Sequence, residues 1–152
     1  MKQRYFTEGY ISCEVIGEKE NGELGLVAQR CKDCGRLAFP AYELCPYCSS
    51  ANTERTFLSQ DAAVLSASDT YAPVPPYKPP FTLAMVDIDN EVRTIVRVER
   101  GDGRLPEKGD KLSLRFGKLF EEEEFDRKTK NTETIEVIGY YYIPADSGDI
   151  RR

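Results

Sequence analysis

The chain has 152 residues, of which 40% are hydrophobic and 31% charged, with a formal net charge of −5. That composition suits a globular protein of one compact domain or two very small ones, and no apolar run approaches the roughly 20 residues of a membrane-spanning helix. There is no histidine. The commonest general base is therefore missing, together with Ser–His and Cys–His nucleophile systems, HExxH metal sites and Cys₂His₂ fingers.

The first ten residues, "MKQRYFTEGY", lack the apolar stretch of a secretory signal. A cytoplasmic location is the expectation, and there paired cysteines read as metal ligands or redox groups, not as a disulfide framework. "ISCEVIGEKENGELGLVAQ" follows, with Asn21-Gly22 marking a turn between two β-leaning runs. Cys13 lies in the first of these runs and reads as a small, half-buried side chain.

Residues 30–55 hold the other four cysteines as Cys31-x₂-Cys34 and Cys45-x₂-Cys48, ten residues apart. Each CxxC folds into a knuckle with both sulfurs aimed at one centre, and the short spacer lets the knuckles face each other. Four thiolates at roughly 2.3 Å around one ion make the closed arrangement of a structural zinc. Gly35 suits the positive-φ position that ends such a knuckle, and Pro46 stiffens the second turn. Iron takes the same four ligands in a rubredoxin-like site. Either way the tetrahedron is full and offers water or substrate no place. A thioredoxin-like dithiol would need a βαβ context that the chain does not display.

From residue 56 the chain reads as strands separated by turn chemistry. "TFLSQDAAVLSASDTYAP" suggests one long, bent strand. "VPPYKPP" (74–80) has four prolines in seven residues and is a rigid extended loop presenting Tyr77 and Lys78. "FTLAMVDID" and "EVRTIVRVER" form a hairpin around Asp89-Asn90; in the second, Val92, Val96 and Val98 face the core, with Arg93 and Arg97 on the other side. "GDGRLPEKGD" is a turn-rich connection. "KLSLRF" places Leu112, Leu114 and Phe116 on one face. "EEEEFDRKTKNTE" reads as a solvated loop or short helix, and "TIEVIGYYYIP" as the last strand. Five such runs suggest a small Greek-key barrel of the OB type, with a β-sandwich as the alternative. Residues 92–118 carry eight basic side chains against four acidic ones. That stretch suits either an anionic ligand or a solvated strand face.

The order of these pieces resembles the acyl-CoA-associated family in which a rubredoxin-like zinc ribbon is fused to an OB fold. Cys31 to Gly35, Phe39-Pro40, and Cys45 to Cys48 match its ribbon pattern; Pro79-Pro80-Phe81 and "LAMVDID" match its proline stretch and following strand. The resemblance spans residues 28–120. In place of the family's second proline and arginine after Phe-Pro, this chain has Ala41 and Tyr42. The resemblance implies a mainly β chain, with an N-terminal segment and Cys₄ ribbon over 1–55 and a five-stranded OB barrel over 56–152. It implies an accessory subunit of a thiolase or thiolase-like aldolase, not catalytic by itself, that docks on the enzyme and helps hold the CoA thioester. A narrower expectation is the small subunit of a thiolase for an aromatic 3-oxoacyl-CoA, such as benzoylsuccinyl-CoA in anaerobic toluene degradation.

The expected sites are a structural Zn²⁺ on Cys31, Cys34, Cys45 and Cys48, and CoA or partner contacts at Tyr77, Lys78, Phe81, Arg93 and Arg97. Guanidinium forks pair well with phosphate oxygens. An apolar and aromatic docking patch is expected around Tyr77, Phe81 or Tyr140 to Tyr142. A single-stranded nucleic-acid-binding module is the alternative, since ribbons and OB folds both serve that role. Against it stand the net charge and the mixing of Asp33 and Glu43 with Lys32 and Arg36. An iron electron-transfer protein and a standalone enzyme follow as lesser alternatives.

Overall fold

A computed structural model describes residues 2–7, 14–75 and 77–145. Cys13, read as half-buried, lies outside the described residues. All ten elements are strands: β1 (Lys2–Tyr5), β2 (Ile16–Glu18), β3 (Leu24–Cys31), β4 (Leu37–Ala38), β5 (Thr53–Phe57), β6 (Asp61–Thr70), β7 (Phe81–Ile88), β8 (Val92–Val98), β9 (Lys111–Asp126) and β10 (Asn131–Pro144). No helix among the described residues is long and apolar enough to cross a membrane.

The chain first builds a small ribbon sheet in which β3 pairs with β2, β4 and β5. The β2–β3 turn forms at the expected place. Gly22 takes φ +87°, and the Asn21 side chain accepts a hydrogen bond from the Glu23 N–H at 3.0 Å. Strands β6 to β10 then close into a barrel, in the order β9-β6-β7-β8-β10 and back to β9. The β8–β10 contact is parallel, through Tyr142 opposite Val98, whereas β6–β7, β7–β8, β6–β9 and β9–β10 are antiparallel. That order is the OB arrangement, and its closure rules out the sandwich. Asp89 and Asn90 both adopt positive φ, 59° and 60°, as a tight primed hairpin turn requires.

Alternation along the strands gives the core. Val92, Val96 and Val98 of β8 and Leu112 and Leu114 of β9 point inward, packed with Val64, Ala84 and Val86. The ribbon's Val15, Ile16, Leu26, Ala28 and Leu37 join the same cluster through Leu58. Ribbon and barrel thus share one hydrophobic core.

Three expectations need correction. The run from Thr56 is not one strand. Phe57 ends β5 on the ribbon sheet, Leu58 is buried at the joint with its N–H on the Leu26 carbonyl, and β6 begins at Asp61. The acidic stretch after Phe120 is not a loop or helix; β9 and β10 continue through it as a long hairpin, and β1 adds to β10 in parallel. Its carboxylates are balanced, Glu122 and Glu133 across strands by Arg4 and Lys2, and Glu121 by Lys118 of the same strand. Nor do the C-terminal tyrosines form a docking patch. Tyr140 and Tyr142 are core residues, and of the three only Tyr141 lies on the outer face.

Tyr142 is wholly buried, and its hydroxyl has no hydrogen-bond partner among the described residues. Burial also pushes its phenol well above the ordinary tyrosine range. A desolvated, unpaired hydroxyl costs stability that an isosteric apolar ring does not. Tyr142→Phe should therefore stabilise the fold by about 1 kcal/mol, read as a rise of about 3 °C in the midpoint of thermal unfolding.

Candidate metal centre and adjoining cleft

The two knuckles are built alike. In the first, the Cys31 N–H donates to the Arg36 carbonyl at 3.0 Å and the Gly35 N–H to the Cys31 carbonyl at 3.0 Å, with Gly35 at φ +78°. In the second, the Cys45 N–H donates to the Ser50 carbonyl at 2.8 Å and the Ser49 N–H to the Cys45 carbonyl at 2.8 Å, with Ser49 at φ +65°. Gly35 fills the left-handed position as expected. Ser49 fills its counterpart, where a side chain carries a steric cost, and only the parallel between the two CxxC turns could have revealed it. In each knuckle one further N–H turns toward sulfur: Cys34 N onto Cys31 Sγ, and Tyr47 N onto Cys45 Sγ, both at 3.4 Å.

The result brings all four predicted cysteines together. Their sulfurs lie within 4.8 Å of one another, with Cys31–Cys48 at 3.6 Å and Cys34–Cys45 at 3.7 Å. Those spacings exclude sulfur–sulfur bonds, which are close to 2.05 Å. They match the edge of a tetrahedron with metal–sulfur bonds of about 2.3 Å, which is about 3.8 Å. The Cys34 N–H, ahead of weaker contributions, lowers the Cys31 thiol to about 7. Cys31 and Cys45 are buried, and Cys34 and Cys48 face outward. The donor set suits zinc or iron, and four sulfurs leave no vacant position for chemistry.

Side chains that sequence reasoning missed hold this cage in place. Asp33 accepts hydrogen bonds from the Ser50 hydroxyl and, at 3.3 Å, from the Asn52 amide, tying the first knuckle to the exit of the second. The Ser50 bond, then the Asn52 bond, hold the Asp33 carboxyl below its ordinary range. Arg36 lies 4.8 Å over the Tyr47 ring and links the knuckles from outside. Arg30 donates to the Gly35 carbonyl at 3.0 Å and forms a two-pronged pair with Glu91, at 2.5 and 3.0 Å, on the β7–β8 turn. The knuckle is thereby clamped to the barrel.

Of the other predicted residues, Tyr77, Lys78, Phe81 and Arg97 line one open cleft of about 570 Å³, together with Asp69, Thr82, Glu99, Arg100 and Lys118. Arg93 is not among its walls. It sits four residues earlier on β8, about 13 Å along the strand, opposite Asp87. Tyr77 and Phe81 form a tilted ring pair, centroids 5.4 Å apart. Arg97 lies over both the Tyr77 ring, at 4.9 Å, and the Tyr141 ring, at 5.3 Å. A second, mostly apolar groove of about 300 Å³ shares Tyr77, Phe81 and Arg97 and runs toward Phe39, Val74, Leu83 and Ile95. The cleft thus has a charged arm and an apolar arm that meet at Arg97.

The cleft contains a hydroxyl–carboxylate pair, Thr82 donating to Asp69 at 2.7 Å. It is poorly suited to general-base work. Arg100 pairs with the same carboxylate at 2.9 Å and donates to the Thr82 oxygen at 3.1 Å, so both partners are already engaged.

Comparison with known proteins adds to this geometry. Residues 22–54 match the ChsH2 rubredoxin-like zinc ribbon domain. The chain is 31% identical over 78 residues to the benzoylsuccinyl-CoA thiolase subunit BbsA of Thauera aromatica, covering 51% of this chain and 54% of that protein. It is 35% identical over 81 residues to the BbsA subunit of Geobacter metallireducens, covering 53% and 55%. The chain thus spans about half the length of the curated relatives it matches. Among solved structures, a chain of the Ltp2–ChsH2(DUF35) aldolase superposes with a TM-score of 0.52 at 24% identity, over 80% of this chain and 85% of that one. What the matched segment and the strand order establish together is a rubredoxin-like zinc ribbon of the ChsH2 type followed by a closed, five-stranded OB-like barrel.

Proposed function

We propose that this chain is a non-catalytic accessory subunit of a thiolase-type enzyme, folded around one structural Zn²⁺ on Cys31, Cys34, Cys45 and Cys48. The observation that carries this reading is the ribbon–barrel order, joined to sequence similarity with thiolase subunits over half the chain. The chemistry of the chain supports it. With no histidine, a metal shell of four sulfurs and an engaged Thr82–Asp69 pair, the reacting groups come from the partner. The proposed location is the cytoplasm, where cysteines remain reduced and available as metal ligands. A single-stranded nucleic-acid role is less well supported: the chain carries a net charge of −5, and Asp33 and Glu43 are interspersed with Lys32 and Arg36 in the ribbon.

Within this reading, the cleft walled by Tyr77, Lys78, Phe81 and Arg97 receives part of a CoA thioester at the edge of the shared interface. Its volume lies in the range of small-molecule sites, and its walls combine apolar rings with cations. The two BbsA relatives favour an aromatic 3-oxoacyl-CoA as the substrate class. The aldolase relative makes carbon–carbon cleavage without free CoA the alternative reaction.

Two outcomes test the proposal. Metal analysis of the purified chain should give one zinc per chain. Cys45→Ser should lose that ion and, with it, hydrogen-exchange protection across β3–β5, because structural zinc contributes most of the folding free energy of so small a ribbon. An iron-loaded chain, or a ribbon equally protected without metal, would count against it. Second, the thiolase-fold enzyme produced alongside this chain should turn over 3-oxoacyl-CoA only when the two are combined, and the chain alone should show no activity. Full activity of the enzyme without this chain would sink the accessory role. CoA-dependent cleavage identifies a thiolase, and CoA-independent cleavage an aldolase.

A further inference from the structure

Arg97 is unusual among the cations of the cleft. Its side chain is only 12% exposed, its guanidinium lies over two tyrosine rings, and its Nε–H is buried with no acceptor among the described residues. Its ion-pair partner is Glu99, just beyond the end of β8, which meets only the terminal Nη1. The Glu99 side chain is 54% exposed on the rim of the cleft. A carboxylate bound to one nitrogen leaves most of the guanidinium fork unused, whereas two-pronged pairing is what makes arginine strong on carboxylates and phosphates. Arg100 and Lys118 keep their own carboxylates, Asp69 and Glu121. Lys78 takes part in no ion pair among the described residues, so it adds an uncompensated charge to the same wall.

We propose that Glu99 caps the Arg97 fork in the free protein, and that a phosphorylated ligand of nucleotide size binds by displacing it. The tyrosine rings hold the guanidinium in place, so the fork needs no reordering when the anions exchange. The half-exposed glutamate swings into water, where its charge is well solvated. The phosphate brings more charge and more acceptor oxygens, and the Tyr77–Phe81 ring pair offers the ligand's apolar part a surface. Glu99 thereby sets selectivity: a singly charged carboxylate ligand gains nothing over the cap, and a phosphate or pyrophosphate does. The identity of the ligand as CoA rests on the function proposed above; the exchange at Arg97 does not.

The test is calorimetric titration of the zinc-loaded full chain with CoA, ADP and inorganic pyrophosphate, in wild type, Glu99→Gln and Arg97→Lys. Glu99→Gln should bind pyrophosphate and CoA about tenfold more tightly than wild type, with an unchanged thermal midpoint. Arg97→Lys keeps the charge but not the planar fork, and should bind about tenfold more weakly. In ¹⁵N spectra the Arg97 Nε–H resonance should move on addition of pyrophosphate. Equal or weaker binding by Glu99→Gln, undiminished binding by Arg97→Lys, or no binding to either protein overturns the exchange. If ADP and pyrophosphate show the gain and CoA does not bind, the exchange stands and the CoA reading falls. An Arg97-dependent preference for a single-stranded oligonucleotide over all three overturns the assignment to a small ligand.

Discussion

Four cysteine sulfurs within 4.8 Å of one another is the constraint on which the rest of the molecule depends. As thiolates they repel, and the N–H groups of Cys34 and Tyr47 offset only part of that charge. A dication at their centre would offset half of it and bind all four sulfurs. At the knuckles themselves, Cys31 and Cys45 are buried where other small domains put aliphatic side chains, and polar contacts of Asp33, Arg36 and Arg30 brace them from outside. On the function proposed here, metal binding and ribbon folding are one event.

What the knuckles hold in place matters beyond the ribbon. Arg30 precedes the first ligand and joins the Gly35 carbonyl to Glu91 on the barrel. Leu58 and Leu26 continue the barrel core into the ribbon sheet. The same sheet carries Phe39 to the mouth of the apolar groove, opposite Val74 and Ile95. The groove is therefore a joint product of ribbon, proline loop and barrel, and its shape depends on the ribbon being folded. On the function proposed here, such a surface suits shaping a partner's site more than performing chemistry.

Much of this was legible in the sequence because the relevant signals are local. The CxxC spacing, Gly35, Asn21-Gly22, Asp89-Asn90 and the valine alternation of β8 each act over a few residues. What stayed hidden depends on distant partners. The acidic run after Phe120 reads as loop because its balancing charges, Arg4 and Lys2, come from a strand more than a hundred residues away. The break at Leu58 is set by a backbone bond to Leu26 across the core. Tyr140 to Tyr142 look alike in sequence, and only the strand's parity separates two core rings from the one beside Arg97. Arg93 and Arg97 likewise share a face, yet only Arg97 reaches the cleft.

The most direct test of the central claim, that a metal-built ribbon makes this chain a subunit of a thiolase-type enzyme, is native mass spectrometry of the complex isolated from cells producing both proteins. The account predicts a hetero-oligomer whose mass includes one zinc for each copy of this chain, and dissociation of the chain when the metal is stripped. A chain that runs alone with its metal bound, or a complex that keeps its composition after stripping, would contradict it.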